Sequence, residues 1–463
     1  MDLKIVPTND DVFVERRAFD LPNVLGIIAT AALTISILAG KLAFPRLFGE
    51  TDTSPHWLEI RLPALLVAAG LVAAILLQTK LSSFKHFAKD GIYFAFSVTA
   101  LAAYLVVRSL GLDSSAPAII DNLYLTAQVW LLVLLASNRQ WASAIAGTSL
   151  ATAALLFLLA LAGVNKAEIN GLGWAPIGGV ITFYRIEFLG LCVSLYLYLR
   201  GNKPIMLPLI GVFFFATLAT LSKAAALSAI VALGIVFAAL LARRRVLSLA
   251  LLFISLAIAF SIWNVRFNSS MSKRISEAFV VFNNPTIGEA GPNHGQDGVR
   301  LNPGQDMEIR IDYCLLSAKR EECQSKVITD RSGRAVLLTV ALSGFMSSPV
   351  FGNGLGQYVV NSINVYNGAP EPYRYPHNIL AEWMFTGGLV ALALAMVMLA
   401  LAAKLCWQES DRSLPSSAIV SFIVFVFLTA LASGDQYDLR LLLCAVVILG
   451  ARPGGQRSET ERL

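Results

Sequence analysis

The sequence predicts an all-α polytopic membrane protein of about 12 transmembrane helices, with one large external loop between the ninth and the tenth. Three observations predict it. The chain of 463 residues is 56% hydrophobic and only 14% charged, whereas soluble domains carry roughly a quarter charged residues. Its mean hydropathy is +0.66. Apolar runs near the ~20 residues that a hydrocarbon core demands recur at 22–44, 62–78, 91–110, 118–136, 141–163, 179–199, 204–221, 224–242, 246–264, 378–403, 416–434 and 437–450.

Residues 1–20 form a polar leader. The run after it is too long for the core of a signal peptide and lacks an A-x-A exit, so it reads as a retained first span. Basic residues then mark alternate connections: Lys80, Lys85 and Lys89; Arg139; Arg200 with Lys203; Arg243, Arg244 and Arg245; Lys404 with Arg412; and Arg452, Arg457 and Arg462 in the tail. All fall on one side together with Lys4, Arg16 and Arg17. Positive charge is retained in the cytoplasm, so both termini are expected there. This also accounts for the net charge of +6 without a nucleic-acid partner.

The other side takes the connections 45–61, 111–117 and 164–178, the tight turn at Ser222-Lys223, the segment 265–377, and the turn at Gly434 to Asp438. Three units follow: a bundle over 1–264, a loop subdomain over 265–377, and a second group of spans with the tail over 378–463. Inside the loop, 334–346 is apolar but too short to span and reads as an interfacial or re-entrant helix. A glycine-rich turn, Phe351-Gly352-Asn353-Gly354-Leu355-Gly356, comes next. Cys314 and Cys323 share this loop, where a disulfide can persist; two reduced thiols fit the spacing as well.

Phosphate-loop, dinucleotide and metal-spaced motifs are absent from the sequence, so neither a cofactor nor a metal is expected. The chemistry-bearing candidates collect on the external side. His377 sits at the mouth of the span starting at Asn378, after Tyr373 to Pro376. Asn378 is placed to cap that helix, whose positive end favours a neutral imidazole able to act as a general base. The alternative is a histidine anchoring a helix end among headgroups. Arg185 lies one to two turns into its span. A cation there either binds an anionic ligand or pairs with another helix, and Glu187 is on a different face. Lys223 departs from the charge pattern. Arg331 and Arg334 are three residues apart at the start of the short helix, spaced to grip a diphosphate or to form a solvated basic face. Asp435 clusters with Asp438 and Arg440, and Glu382 lies a little over one turn in from His377.

The run from Arg331 to Gly388 resembles the external-loop signature of the bacterial O-antigen ligase and polymerase superfamily. Pro349, Gly352, Gly354 and Gly356 match its turn, and His377, Asn378, Glu382, Gly387 and Gly388 match the helix that follows. Ser222-Lys223 resembles the family's Ser-Arg, with a lysine that keeps the charge but loses the bidentate fork. The resemblance implies an inner-membrane glycosyltransferase moving a glycan from undecaprenyl diphosphate to an acceptor hydroxyl on the periplasmic face. The acceptor is lipid A–core for a ligase and a carrier-linked glycan for a polymerase. It implies His377 as base and Arg185, Lys223, Arg334 and Arg331 as diphosphate clamps, supported by Asn378, Glu382 and Asp435, with inversion and no metal. Two other classes stand beside it: a polyprenyl-linked glycan transporter, and a non-catalytic scaffold. The topology has a direct test. A cysteine placed at Asn367 is expected to react with a membrane-impermeant thiol reagent from outside; protection would reverse the orientation.

Overall fold

The computed structural model describes residues 21–39, 61–78, 89–112, 116–136, 138–162, 179–201, 203–283, 307–312, 325–330, 334–358, 360–363, 370–373, 375–433 and 439–450. The helices are α1 (Leu21–Ala39), α2 (Arg61–Gln78), α3 (Lys89–Ser109), α4 (Ala116–Ala136), α5 (Arg139–Leu161), α6 (Gly179–Gly201), α7 (Met206–Ala219), α8 (Lys223–Ala242), α9 (Val246–Asn283), α10 (Arg334–Ser347), α11 (Ile379–Arg412), α12 (Ser416–Ser433) and α13 (Arg440–Gly450). Among the described residues, eight helices are long and apolar enough to cross a membrane, and shorter apolar helices accompany them. The chain is an integral, multi-span membrane protein. The end of the bundle carrying the segment between α9 and α11 is called the loop face.

α6 is the central column. Buried residues make up 72% of its spanning window and 44% or less of each of the other seven. It packs against α5, α7 and α12. Gly190 permits the closest approach, since a Cβ there would lie 2.7 Å from that of Ala153 on α5 and 3.2 Å from the Phe213 ring on α7. Against α12 the contact is aromatic. Phe188 stacks on Phe425 with centroids 3.8 Å apart, and Tyr184 meets the same ring edge-on at 6.0 Å. Polar bonds join other helices, as is usual where burial drives no association in lipid: Trp130 Nε1 donates to Thr99 Oγ1 at 2.8 Å, and Ser421 Oγ on α12 donates to Ala232 O on α8 at 2.7 Å.

The span expected as one helix from 378 to 403 is broken. Gly388 has φ 63° and ψ −155° inside α11, a conformation open essentially to glycine alone. A straight helix would hold Asn378 roughly 50 Å from Arg412 at 1.5 Å per residue. Yet only three residues separate the end of α11 from the start of α12, which reaches Leu431 after about 22 Å, and Asn378 Nδ2 donates to Leu431 O at 3.0 Å. Residues 379–387 therefore turn steeply off the axis of 389–412 and cross the loop face toward α12.

A break frees backbone groups, and here the glycine-rich turn takes them up. Asn353 N donates to Phe385 O and Gly354 N to Thr386 O, both at 2.8 Å; Leu389 N donates to Pro349 O at 2.8 Å and Val390 N to Val350 O at 3.3 Å. The loop is held in turn by α3. Arg108 Nε and Nη2 donate to Phe351 O and Gly352 O at 3.2 and 2.9 Å. Tyr104 Oη shares its proton between Gly387 O at 2.9 Å and Phe351 O at 3.2 Å. Leu355 N donates to Ser109 Oγ at 2.7 Å.

The segment between α9 and α11 corrects the all-α expectation. It contains a four-stranded sheet in the order β2-β1-β3-β4, from β1 (Met307–Asp312), β2 (Ser325–Asp330), β3 (Val360–Ile363) and β4 (Pro370–Tyr373). All three pairings are antiparallel, with Ile309 opposite Ile328 and Ser362, and Val360 opposite Tyr373. Met307 to Asp312 alternates apolar and polar residues, the period of a strand with one covered face. β4 carries two prolines and is an edge strand, where lost N–H donors are tolerated. α9 also runs on past the expected end of its span to Asn283. α13 has 11 residues, about 17 Å, less than a hydrocarbon core. It is buried almost throughout, so its ends meet protein rather than lipid. Cys314 and Cys323 lie outside the described residues.

The break makes a stability prediction. A Cβ at Gly388 would overlap the Val350 carbonyl and sit at positive φ, whereas one at Gly147 on α5 meets nothing within 4 Å. In detergent, Gly388→Ala is expected to lose about 3 kcal/mol and Gly147→Ala to change by less than about 1 kcal/mol. Equal thermal shifts for the two variants would show that the interlock is not tight.

Candidate functional site at the loop face

β4 ends four residues before His377 and leads the chain into the site. His377 has φ 55°, the left-handed region that a non-glycine residue enters at a cost of roughly 1–2 kcal/mol. Such strain persists where surrounding contacts over-determine it and is common at functional positions. Its ring lies against Tyr375, centroids 4.5 Å apart at 60°. Asn378 then opens α11. Its Oδ1 accepts from Ala381 N at 3.0 Å, while Nδ2 makes the bond to Leu431 O. One side chain thus starts the crossing helix and ties it to the last turns of α12.

Arg185 arrives at the same turns from below. It is 2% exposed, and Nε donates to Thr429 Oγ1 at 3.2 Å. The reason is the aromatic contact one turn away: Phe425 is held between Tyr184 and Phe188, and Thr429 follows Phe425 by four residues. Lys223 reaches the same level by a third route. The bond between Ser421 and Ala232 fixes the antiparallel register of α12 and α8. Nine residues from Ala232 toward the loop face is Lys223, and nine from Ser421 in the same direction is 430. Lys223 is exposed in the first turn of α8. Ser222 caps that helix by accepting from Ala225 N at 3.3 Å, and the preceding Leu221 turns the chain with φ 53°.

The structure therefore brings Arg185 onto Thr429 and Asn378, the neighbour of His377, onto Leu431, and sets Lys223 at the same level of the adjacent α8. Glu382, half-buried on the crossing helix, faces a different neighbour, Tyr358. That phenol donates to Leu337 O at 2.8 Å and is held above its ordinary pKa, chiefly by burial and further by the Glu382 charge. Arg334 opens α10 as expected, with its side chain outside the described residues. Arg331 and Asp435, with Asp438, lie outside them altogether. Arg440 is 2% exposed and donates from Nε to Ile37 O at the end of α1, 2.8 Å away. Glu187, on the other face of α6 from Arg185, is fully enclosed with no hydrogen bond to either oxygen. Among the described residues no three His, Cys, Asp or Glu side chains gather in metal-binding geometry.

Sequence reasoning missed Thr429, Tyr375, Tyr358 and the α3 pair Tyr104 and Arg108. Nothing in the sequence singles out a threonine in an apolar run. Arg108 did carry a signal: it is a cation at the loop-face end of a span, the departure from the charge pattern that drew attention to Lys223.

The fold and this polar centre define a multi-span membrane protein with an ionisable site at one boundary. Residues 208–396 match the family described as O-antigen ligase, and over this segment the match supports the O-antigen ligase superfamily. Ligase- or polymerase-like glycan biosynthesis is the activity that this match supports. No curated protein matches the chain. The matched segment includes Lys223, the glycine-rich turn and His377; Arg185 and α12 lie beyond it.

The double role of Asn378 is separable. Asn378→Asp keeps a good cap but replaces the donor facing Leu431 O with an oxygen. We expect it to lose about 1–3 kcal/mol in thermal unfolding, and Asn378→Ala at least as much. Unchanged stability in the aspartate variant would show that the tie to α12 is not made.

Proposed function

We propose that the protein is an inner-membrane glycosyltransferase that moves a glycan from undecaprenyl diphosphate to an acceptor hydroxyl, working at the loop face, which we assign to the periplasm with both termini cytoplasmic. The observation carrying this reading is that Arg185 bonds Thr429 and Asn378, next to His377, bonds Leu431, with Lys223 at the same level of the adjacent α8. In our reading the twelve-span topology includes the shorter helices, and the sheet-bearing segment is the periplasmic subdomain.

The donor already holds a good leaving group, so catalysis needs a base and a place for charge. The acceptor oxygen attacks the anomeric carbon and its proton passes to His377. The bond from that carbon to the phosphate oxygen breaks, and the diphosphate leaves with the electron pair. Arg185 and Lys223 are positioned to hold that charge, with Arg334 and Arg331 as further clamps; donors fixed before the reaction stabilise developing charge most. Direct attack inverts the anomeric centre and needs no metal. A transporter is the reading less supported. Broken helices in transporters present free backbone groups to their cargo near the midplane, and here the glycine-rich turn has taken them.

The test uses purified protein in detergent with EDTA, undecaprenyl-diphosphate glycan as donor and lipid A–core as acceptor. Wild type is expected to transfer and His377→Ala not to. Longer carrier-linked glycans instead would make the protein a polymerase, and no product from wild type would overturn the reading. Arg185→Lys, which keeps charge and loses the planar fork, is expected to lower turnover about 100-fold; full activity would remove Arg185 from donor binding.

A further inference from the structure

We propose that the loop-face turn of α3 completes the site from outside the matched segment, with Arg108 and Tyr104 as positioning residues for His377. The inference rests on the glycosyltransferase reading for its kinetic arm and on geometry alone for its chemical one. Between them, Arg108 and Tyr104 bind three carbonyls at the break: Phe351 O, Gly352 O and Gly387 O. Two of these belong to the glycine-rich turn, and the third is the last residue before Gly388. Ser109 adds the amide of Leu355. The glycine-rich turn and α11 bond each other, and α3 bonds both, so it sets the angle at which residues 379–387 leave the spanning helix.

That angle matters because His377 is at the far end of the crossing helix. Ten residues separate it from Gly388, about 15 Å at the helical rise. A tilt of about 10° at the break would carry the imidazole about 2.5 Å. A misplacement of about 1 Å can cost about 100-fold in rate. Asn378 restrains the far end through its bond to Leu431 O, while α3 restrains the near end through a guanidinium fork, a phenol and a hydroxyl. Arg108 fits this task better than lysine would, because its planar donors meet two consecutive carbonyls together. Close packing protects the arrangement: a Cβ on Gly387 would overlap Ala391 and press on Leu105 and Tyr104, and one on Gly354 would overlap Leu112.

The experiment compares full-length wild type, Arg108→Ala and Arg108→Lys in detergent. The first readout is the rate at which diethyl pyrocarbonate modifies His377, followed by peptide mass spectrometry. The second is kcat and KM for the undecaprenyl-diphosphate glycan. Arg108→Ala is expected to raise His377 reactivity several-fold and to lower kcat at least tenfold with KM within about threefold. Arg108→Lys, which retains one bond, falls between. Leu110→Ala, an exposed change two residues on, should match wild type. Unchanged His377 reactivity in folded Arg108→Ala protein would overturn the proposal. So would a raised KM at constant kcat, which would make Arg108 a donor-binding group instead. If the alanine variant does not purify folded, Tyr104→Phe removes one bond at nearly constant volume and is read in the same way. If wild type transfers no glycan, the glycosyltransferase reading fails while the His377 modification rates still decide the α3 clamp.

Discussion

A backbone amide or carbonyl without a partner costs several kcal/mol where water cannot reach it. The organisation of the loop face depends on that constraint. Breaking α11 at Gly388 releases carbonyls on one side and amides on the other. The chain answers with residues 349–354, whose own amides and carbonyls face the break in the required order. The glycines are there because two backbones meet without room for a Cβ, at Gly352 and Gly388, and because both adopt positive φ. Their number looks like a flexible loop in the sequence. In the structure they form an interlock, and its effect is to send a helix across the bundle with a histidine at its tip.

The second half of the site is built by an ordinary device used at the right height. Ring packing between α6 and α12 fixes how the two columns slide past each other, and a serine bond fixes α12 against α8. Those two registers, set deep in the bundle, determine which side chains meet at its end. Arg185 and Lys223 come from different spans, yet each is brought to the level of residues 429–431 by a contact one to three turns deeper. The polar centre thus inherits its geometry from apolar packing, which tolerates little sliding.

Much of this was legible in the residues. Hydropathy marked the spans, since a hydrocarbon core sets both their length and their composition. His377, Asn378, Arg185 and Lys223 stood out because polar side chains in apolar runs are expensive. What stayed hidden had weaker local signals. The strand Met307–Asp312 is a short alternation inside a long mixed segment, and β4 is disguised by its prolines. The break at Gly388 was read through because paired glycines inside an apolar run are compatible with a continuous span, and the partner that makes the break affordable lies more than thirty residues earlier. Thr429 was invisible because its role depends on the register of two helices, which no single segment encodes.

The arrangement also bears on the choice between catalyst and carrier. Moving a substrate across a bilayer requires an element that exchanges between two packings. Here the broken helix is bonded on both flanks of Gly388, tied to α3 at its near end and to α12 at its far end. Each of those contacts would have to be given up in an alternate state, and each lost backbone bond would need a new partner. A fixed crossing helix suits a reaction whose difficulty is alignment: a hydroxyl, an anomeric carbon and a departing diphosphate held in line, with charge developing at one end and a proton leaving at the other. The features that make this end of the molecule rigid are the ones such a transfer needs.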